Sequence, residues 1–185
     1  MTEAYDATAD AIDVDDLVAA DASPEVPELD PEAALLCALL HTAETEQARA
    51  VTQHLEEADF LNPRYGELFR IISELANAGE QHHATRVLAA LRGAGRLSGH
   101  HGKLLTDALQ IVALLGTPAV GLVTLAADVL DAAYRRRFAA AAAALTRASA
   151  EAATDDLFDL MLAQGRAMRV QARRREALDS GPVSD

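Results

Sequence analysis

Leu55–Gly79 reads LEEADFLNPRYGELFRIISELANAG, and the punctuation of this stretch decides the fold. Asn62 is a side-chain cap, and Pro63 suits the first turn of a helix, where its missing N–H costs nothing. Leu68, Ile71, Ile72, Leu75 and Ala76 recur at helical spacing, so one face is apolar. Gly79 then ends the helix, as a residue free to turn left-handed does. The stretch predicts a helix over 63–78, approached through the acidic run Glu56-Glu57-Ala58-Asp59 and an inward-facing Phe60.

The same grammar extends in both directions. Asp30 caps a first helix, with Pro31 at its first position, running to His41, and a second helix covers 45–57. A short fourth covers 85–92, and Gly93, Gly95, Gly99 and Gly102 make the next stretch a flexible loop. A fifth spans 103–115 and is stopped by Gly116, Thr117 and Pro118. Two long helices follow, over 119–150 and 154–178. Thr154 caps the second, with Asp155 and Asp156 placed against the positive end of its dipole. A link this short makes them an antiparallel hairpin. Alanine and leucine dominate and strand-like alternation is nearly absent, so the expected fold is all-α. A compact helical head at 30–117 would carry a long hairpin at 118–178, with an acidic disordered tail at 1–29 and a disordered C-terminus at 179–185. The six alanines Ala139–Ala144 allow another helix to approach closely, or simply favour helix.

Half of the 185 residues are hydrophobic, enough for a core. The net charge of −13 is uneven: residues 1–30 hold ten acids and no base, which leaves 19 acids against 16 bases, a net of −3, in the rest. An acidic segment of that kind cannot bury enough apolar surface to offset its ordering entropy. Ile12, Val14, Leu17 and Val18 lie among its aspartates and could order as a short helix on a partner. No secretory signal is visible, and no apolar run approaches the roughly 20 residues of a membrane helix, so a soluble, cytoplasmic protein is expected.

Residue chemistry argues against an enzyme. A phosphate-binding loop needs glycine six residues before its lysine and a hydroxyl after it, but Lys103 has Leu97 and Leu104 there. The pairs His82-His83 and His100-His101 lack metal-ligand spacing and read as exposed loop histidines. Lone Cys37 reads as a small core residue. No catalytic, cofactor or metal residue is therefore assigned. Arg135, Arg136 and Arg137 come level with Arg166 and Arg169 across the hairpin, and Arg173, Arg174 and Arg175 come level with Asp128 and Asp131. Arg135, Arg136, Arg137, Arg166, Arg169 and Arg173 thus form an arginine band. It would serve cross-helix ion pairs, a nucleic-acid backbone, or an acidic partner such as the chain's own N-terminal segment.

The order of these parts resembles the N-terminal domain of DnaB-type replicative helicases. That family carries an E-x-x-x-L-G-x-L-L helix and a P-E-D-F-Y-x-x-x-H-x-x-I-F block. Their counterparts here are Glu32 to Leu40 and Glu57 to Phe69, and the resemblance runs from Pro31 to Gly165. The chain departs at Cys37 for a common glycine, Tyr65 for histidine, and Gln81-His82-His83 for P-[IV]-D, so a standard primase-docking surface is not carried over.

The resemblance implies an assembly unit in DNA replication whose hairpins pair between subunits and whose collar docks primase and, in some systems, loaders. Leu122, Leu125, Val129, Phe138, Leu157, Leu160, Met161 and Met168 would form the self-association face. The expected partners are a second copy, the replicative helicase, primase or a loader, with DNA as the alternative through the arginine band. The Met1 start, the acidic segment and the polar ending 179–185 favour a stand-alone paralogue over the N-terminal piece of a longer helicase.

Overall fold

The structure is a computed structural model, and it describes residues 30–116 and 120–180. The acidic segment, the Thr117-Pro118 turn and residues 181–185 lie outside the described residues, so the expectations placed on them are not met or refuted here. Among the described residues there are seven α-helices and no strands.

Helix α1, Pro31–His41, begins as its sequence dictates, with Asp30 Oδ1 accepting from the Glu32 N–H at 2.9 Å. It buries Ala33, Leu35, Leu36, Leu39 and Leu40 and is apolar nearly all round, because other helices cover it on several sides. Helix α2 stops at Thr52, short of the expected 45–57. The remainder becomes a 3₁₀ turn, Glu57–Asp59, closed when the Glu56 N–H donates to Asp59 Oδ2 at 2.7 Å.

Helix α3, Pro63–Asn77, has both expected ends. Asn62 Oδ1 accepts from the Arg64 N–H at 3.1 Å, and Gly79 turns left-handed at φ 71°. The Glu80 N–H then reaches the Leu75 carbonyl at 2.9 Å, a Schellman closure. Phe60 and Phe69 pack with ring centroids 4.9 Å apart.

Helix α4 spans Ala84–Gly93 and α5 spans Gly99–Leu114. The glycine-rich loop is therefore shorter than expected, and Gly99 and Gly102 belong to a helix. Gly102 is there for space: a Cβ on it would lie 2.1 Å from the Leu97 carbonyl carbon. The loop wraps so tightly over the start of α5 that no larger residue fits.

Helix α6, Leu122–Glu151, and helix α7, Leu157–Asp179, form the antiparallel hairpin, joined through a 3₁₀ turn at Thr154–Asp156. At 1.5 Å per residue the longer arm spans about 45 Å. Its first three turns are part of the head: Leu122, Leu125, Ala126, Val129 and Leu130 are buried in one core with α1, α3 and α5, and Ala133 is buried as well. This corrects the expected self-association face, since Leu122, Leu125 and Val129 are used up inside the chain.

Candidate interaction surface

Two buried carboxylates fix the hairpin to the head. Glu32, from the apolar first helix, accepts the Leu61 N–H at 2.6 Å and the Asn62 N–H at 3.1 Å, with Arg136 Nη1 3.5 Å away. It ties α1 to the start of α3 and to the stem together. Asp59 is fully buried. Besides closing its own turn it faces Arg137 Nη1 at 2.8 Å and pairs with Arg174, while Arg136 donates to its carbonyl oxygen. Arg174 also donates to the His54 carbonyl, at 3.0 Å from Nε and 2.9 Å from Nη2. A buried carboxylate persists only when it is paired and hydrogen-bonded in this way.

The arginine band accordingly divides. Arg136 and Arg137 turn inward onto the head, and Arg137 also meets Gln171 across the hairpin. Arg135, Arg166, Arg169 and Arg173 are exposed. Arg175 pairs with Asp131 at 2.8 Å, as the antiparallel register requires. Arg174, the best-buried of the three arginines that latch the hairpin to the head, lay outside the expected set. The signal for it was Asp59, the acid next to Phe60, which needs a cation if Phe60 goes inside.

Past Ala133 no residue of α6 is buried, and Leu178 is the only buried residue of α7. Of the remaining residues expected to self-associate, Phe138 is 60% exposed, Met161 48% and Leu160 40%, while Leu157 and Met168 are half-buried. Phe158 at 62% and Val170 at 55% add to this surface and were not anticipated. A shallow groove of about 390 Å³ runs along the alanine stretch between Ala140, Ala144, Gln164 and Met168.

The histidines are not all solvated. His82 is buried, its Nδ1 3.4 Å from the Glu80 carbonyl and its Nε2 without a hydrogen-bond partner among the described residues. His83 caps α4, accepting from the Arg86 N–H at 3.4 Å. These two stand where the helicase pattern has an aliphatic residue and an acid. Cys37, where that pattern has glycine, is buried and donates to the Gly116 carbonyl at 3.1 Å, and burial pushes its thiol pKa up.

Glu67 on α3 accepts from Arg96 Nε at 2.7 Å and lies 2.8 Å from His101 Nε2. The Arg96 hydrogen bond leads in lowering its pKa, against the opposing effect of burial. The stabilisation from a lowered carboxyl is complete above its unfolded value, about 4.3, and is lost as pH falls through the folded value. Glu67→Gln should therefore melt below the parent at neutral pH, and the gap should narrow as pH falls through the lowered carboxyl value. A gap independent of pH would show that the pair adds nothing through charge. No three His, Cys, Asp or Glu side chains gather as a metal site among the described residues, and no described helix is long and apolar enough to cross a membrane.

Residues 25–115 match the family model of the DnaB-like helicase N terminal domain. These residues form a DnaB-like helicase N-terminal domain. A comparison with curated proteins finds none that matches the chain. Within the DnaB-like domain, Glu32 and Asp59 stand at acidic positions of the two family blocks, and their work here is to hold the head together and to hold α6 and α7 onto it. The matched region ends at residue 115, so the hairpin lies beyond it.

Proposed function

We propose that this chain is a non-enzymatic assembly protein of DNA replication that self-associates through the distal half of its hairpin and docks a replicative helicase, primase or loader. The supporting observation is a DnaB-like domain bearing a stem whose outer half has no third element against it among the described residues. Two helices alone bury little apolar surface. A stem with Phe138, Phe158, Leu160 and Met161 exposed gains most from a second helical pair packing on it. The latch at Asp59 would hold the stem at one angle to the head and so present those side chains in one orientation. Arg135, Arg166, Arg169 and Arg173 keep a DNA-contact reading alive. Arg136 and Arg137 do not belong to it, because they are engaged by Glu32 and Asp59.

Gel filtration with light scattering tests the reading, with the chain alone and mixed with its host's replicative helicase. The parent should run at a multiple of 19.6 kDa and co-elute with the helicase. Phe138→Asp combined with Phe158→Asp should reduce it to a folded monomer, since neither side chain supports the core. An unchanged mass for that variant would remove the hairpin as the contact.

A further inference from the structure

The middle of the stem is basic without relief. Between Asp131 and Glu151 on α6, and between Asp159 and Glu176 on α7, there are nine arginines and no carboxylate. The latch and the Asp131 pair occupy Arg136, Arg137, Arg174 and Arg175. Arg135, Arg147, Arg166, Arg169 and Arg173 remain exposed, with no ion pair among the described residues. Arg166, Arg169 and Arg173 follow one another at helical spacing on one side of α7. Arg169 and Arg173 flank a groove of about 360 Å³ floored by Tyr134, Met168 and Ala172, with Glu176 at its end. A basic rim over an aromatic and thioether floor suits a short segment that alternates acids with aliphatic side chains.

The chain itself supplies such a segment. Residues 1–29 carry nine acids and no base, and Ile12-Asp13-Val14-Asp15-Asp16-Leu17-Val18 alternates the two kinds of side chain. It joins the fold beside the stem: Glu32, two residues beyond Asp30, lies 3.5 Å from Arg136, which is on the same helical turn as Tyr134. The twelve residue steps from Val18 to Asp30 span up to about 40 Å when extended, enough to pass round a helix of about 10 Å diameter. We infer that residues 12–18 dock in the Tyr134–Met168 groove of their own hairpin, with Asp13, Asp15 and Asp16 against Arg169 and Arg173 and the aliphatic residues over Tyr134 and Met168. The tether raises the local concentration of this ligand to about the millimolar range, which favours it over untethered anions, nucleic acid included. This inference stands apart from the self-association reading and holds for a monomer as well.

The three methionines, Met1, Met161 and Met168, make the test direct. A nitroxide is attached at Ala19→Cys of the full-length chain, since buried Cys37 does not compete for it, and methionine methyl signals are recorded with the label oxidised and reduced. Met168 should lose most of its intensity, and more than Met161. The signal should return when NaCl rises from about 0.1 M to about 1 M, which shortens the Debye length from about 10 to about 3 Å. It should also return in Arg169→Glu/Arg173→Glu, where both changed residues are exposed and outside the latch. An unaffected Met168 overturns the inference, as does broadening that survives the charge reversal. Broadening of Met168 in isotope-labelled chains mixed with separate spin-labelled chains would place the segment on another copy and overturn the intramolecular assignment.

Discussion

Leu125→Asp should unfold the protein rather than merely dissociate it. Leu125 is 5% exposed on the first half of α6, in the core shared by α1, α3 and α5. Truncating such a leucine to alanine costs about 2–5 kcal/mol. Aspartate removes the same contacts and adds a carboxylate with no partner nearby, so the loss exceeds that of alanine. Against a typical total of about 5–15 kcal/mol this leaves little or no folded population. Circular dichroism should show a lost or greatly lowered cooperative melt for Leu125→Asp and a near-parental melt for Phe138→Asp. The two changes insert the same side chain into the same helix thirteen positions apart. A folded Leu125→Asp of reduced mass would mean that α6 does not pack on the head as described.

Removing the carboxylate of Asp59 should loosen the hairpin selectively. Asp59→Ala strands Arg137 and Arg174, which are largely buried, and leaves the Glu56 N–H without its acceptor. Breaking one side of a buried pair costs about 3–5 kcal/mol, and the partial exposure of both arginines puts the expectation near about 3. The damage should be local. Helix α7 is tied to the head by the Arg174 contacts and Leu178, whereas α1 is anchored by its own apolar contacts. Hydrogen exchange should accelerate across residues 165–179 while residues 33–40 stay protected. Asp59→Asn keeps an acceptor for the Glu56 N–H and should lose less. If Asp59→Ala changes stability by under about 0.5 kcal/mol, within the range of an ordinary surface change, the latch is not what holds the stem.

Local chemistry accounts for what was legible beforehand. Asp30-Pro31, Asn62-Pro63 and Gly79 act on backbone groups within a few residues of themselves, so helix ends could be placed from sequence. The all-α class and the two long arms followed from the same signals and from alanine-rich propensity. The stretch with Gly93, Gly95, Gly99 and Gly102 reads as a loop because closely spaced glycines suggest freedom. Gly102 instead serves a close approach to the Leu97 backbone, and nothing local to the sequence reports that. The second helix was extended too far because the Glu56–Asp59 closure competes with helix, and Asp59 is held by residues that lie 78 and 115 positions further along.

The sequence alone thus determined the capped helix ends at Asp30-Pro31, Asn62-Pro63 and Gly79, the antiparallel register that sets Arg175 against Asp131, and the resemblance to the DnaB-like domain. Only the tertiary structure decided which side of each helix is spent. Leucine has the same helical preference whether it meets α1 or solvent, and arginine the same charge whether it meets Asp59 or an outside anion. Leu125 goes inward and Phe138 outward because the head extends only as far as Ala133. Arg137 and Arg174 turn inward because a buried carboxylate at Asp59 must be neutralised, whereas no buried carboxylate of the described residues draws Arg169 and Arg173 inward.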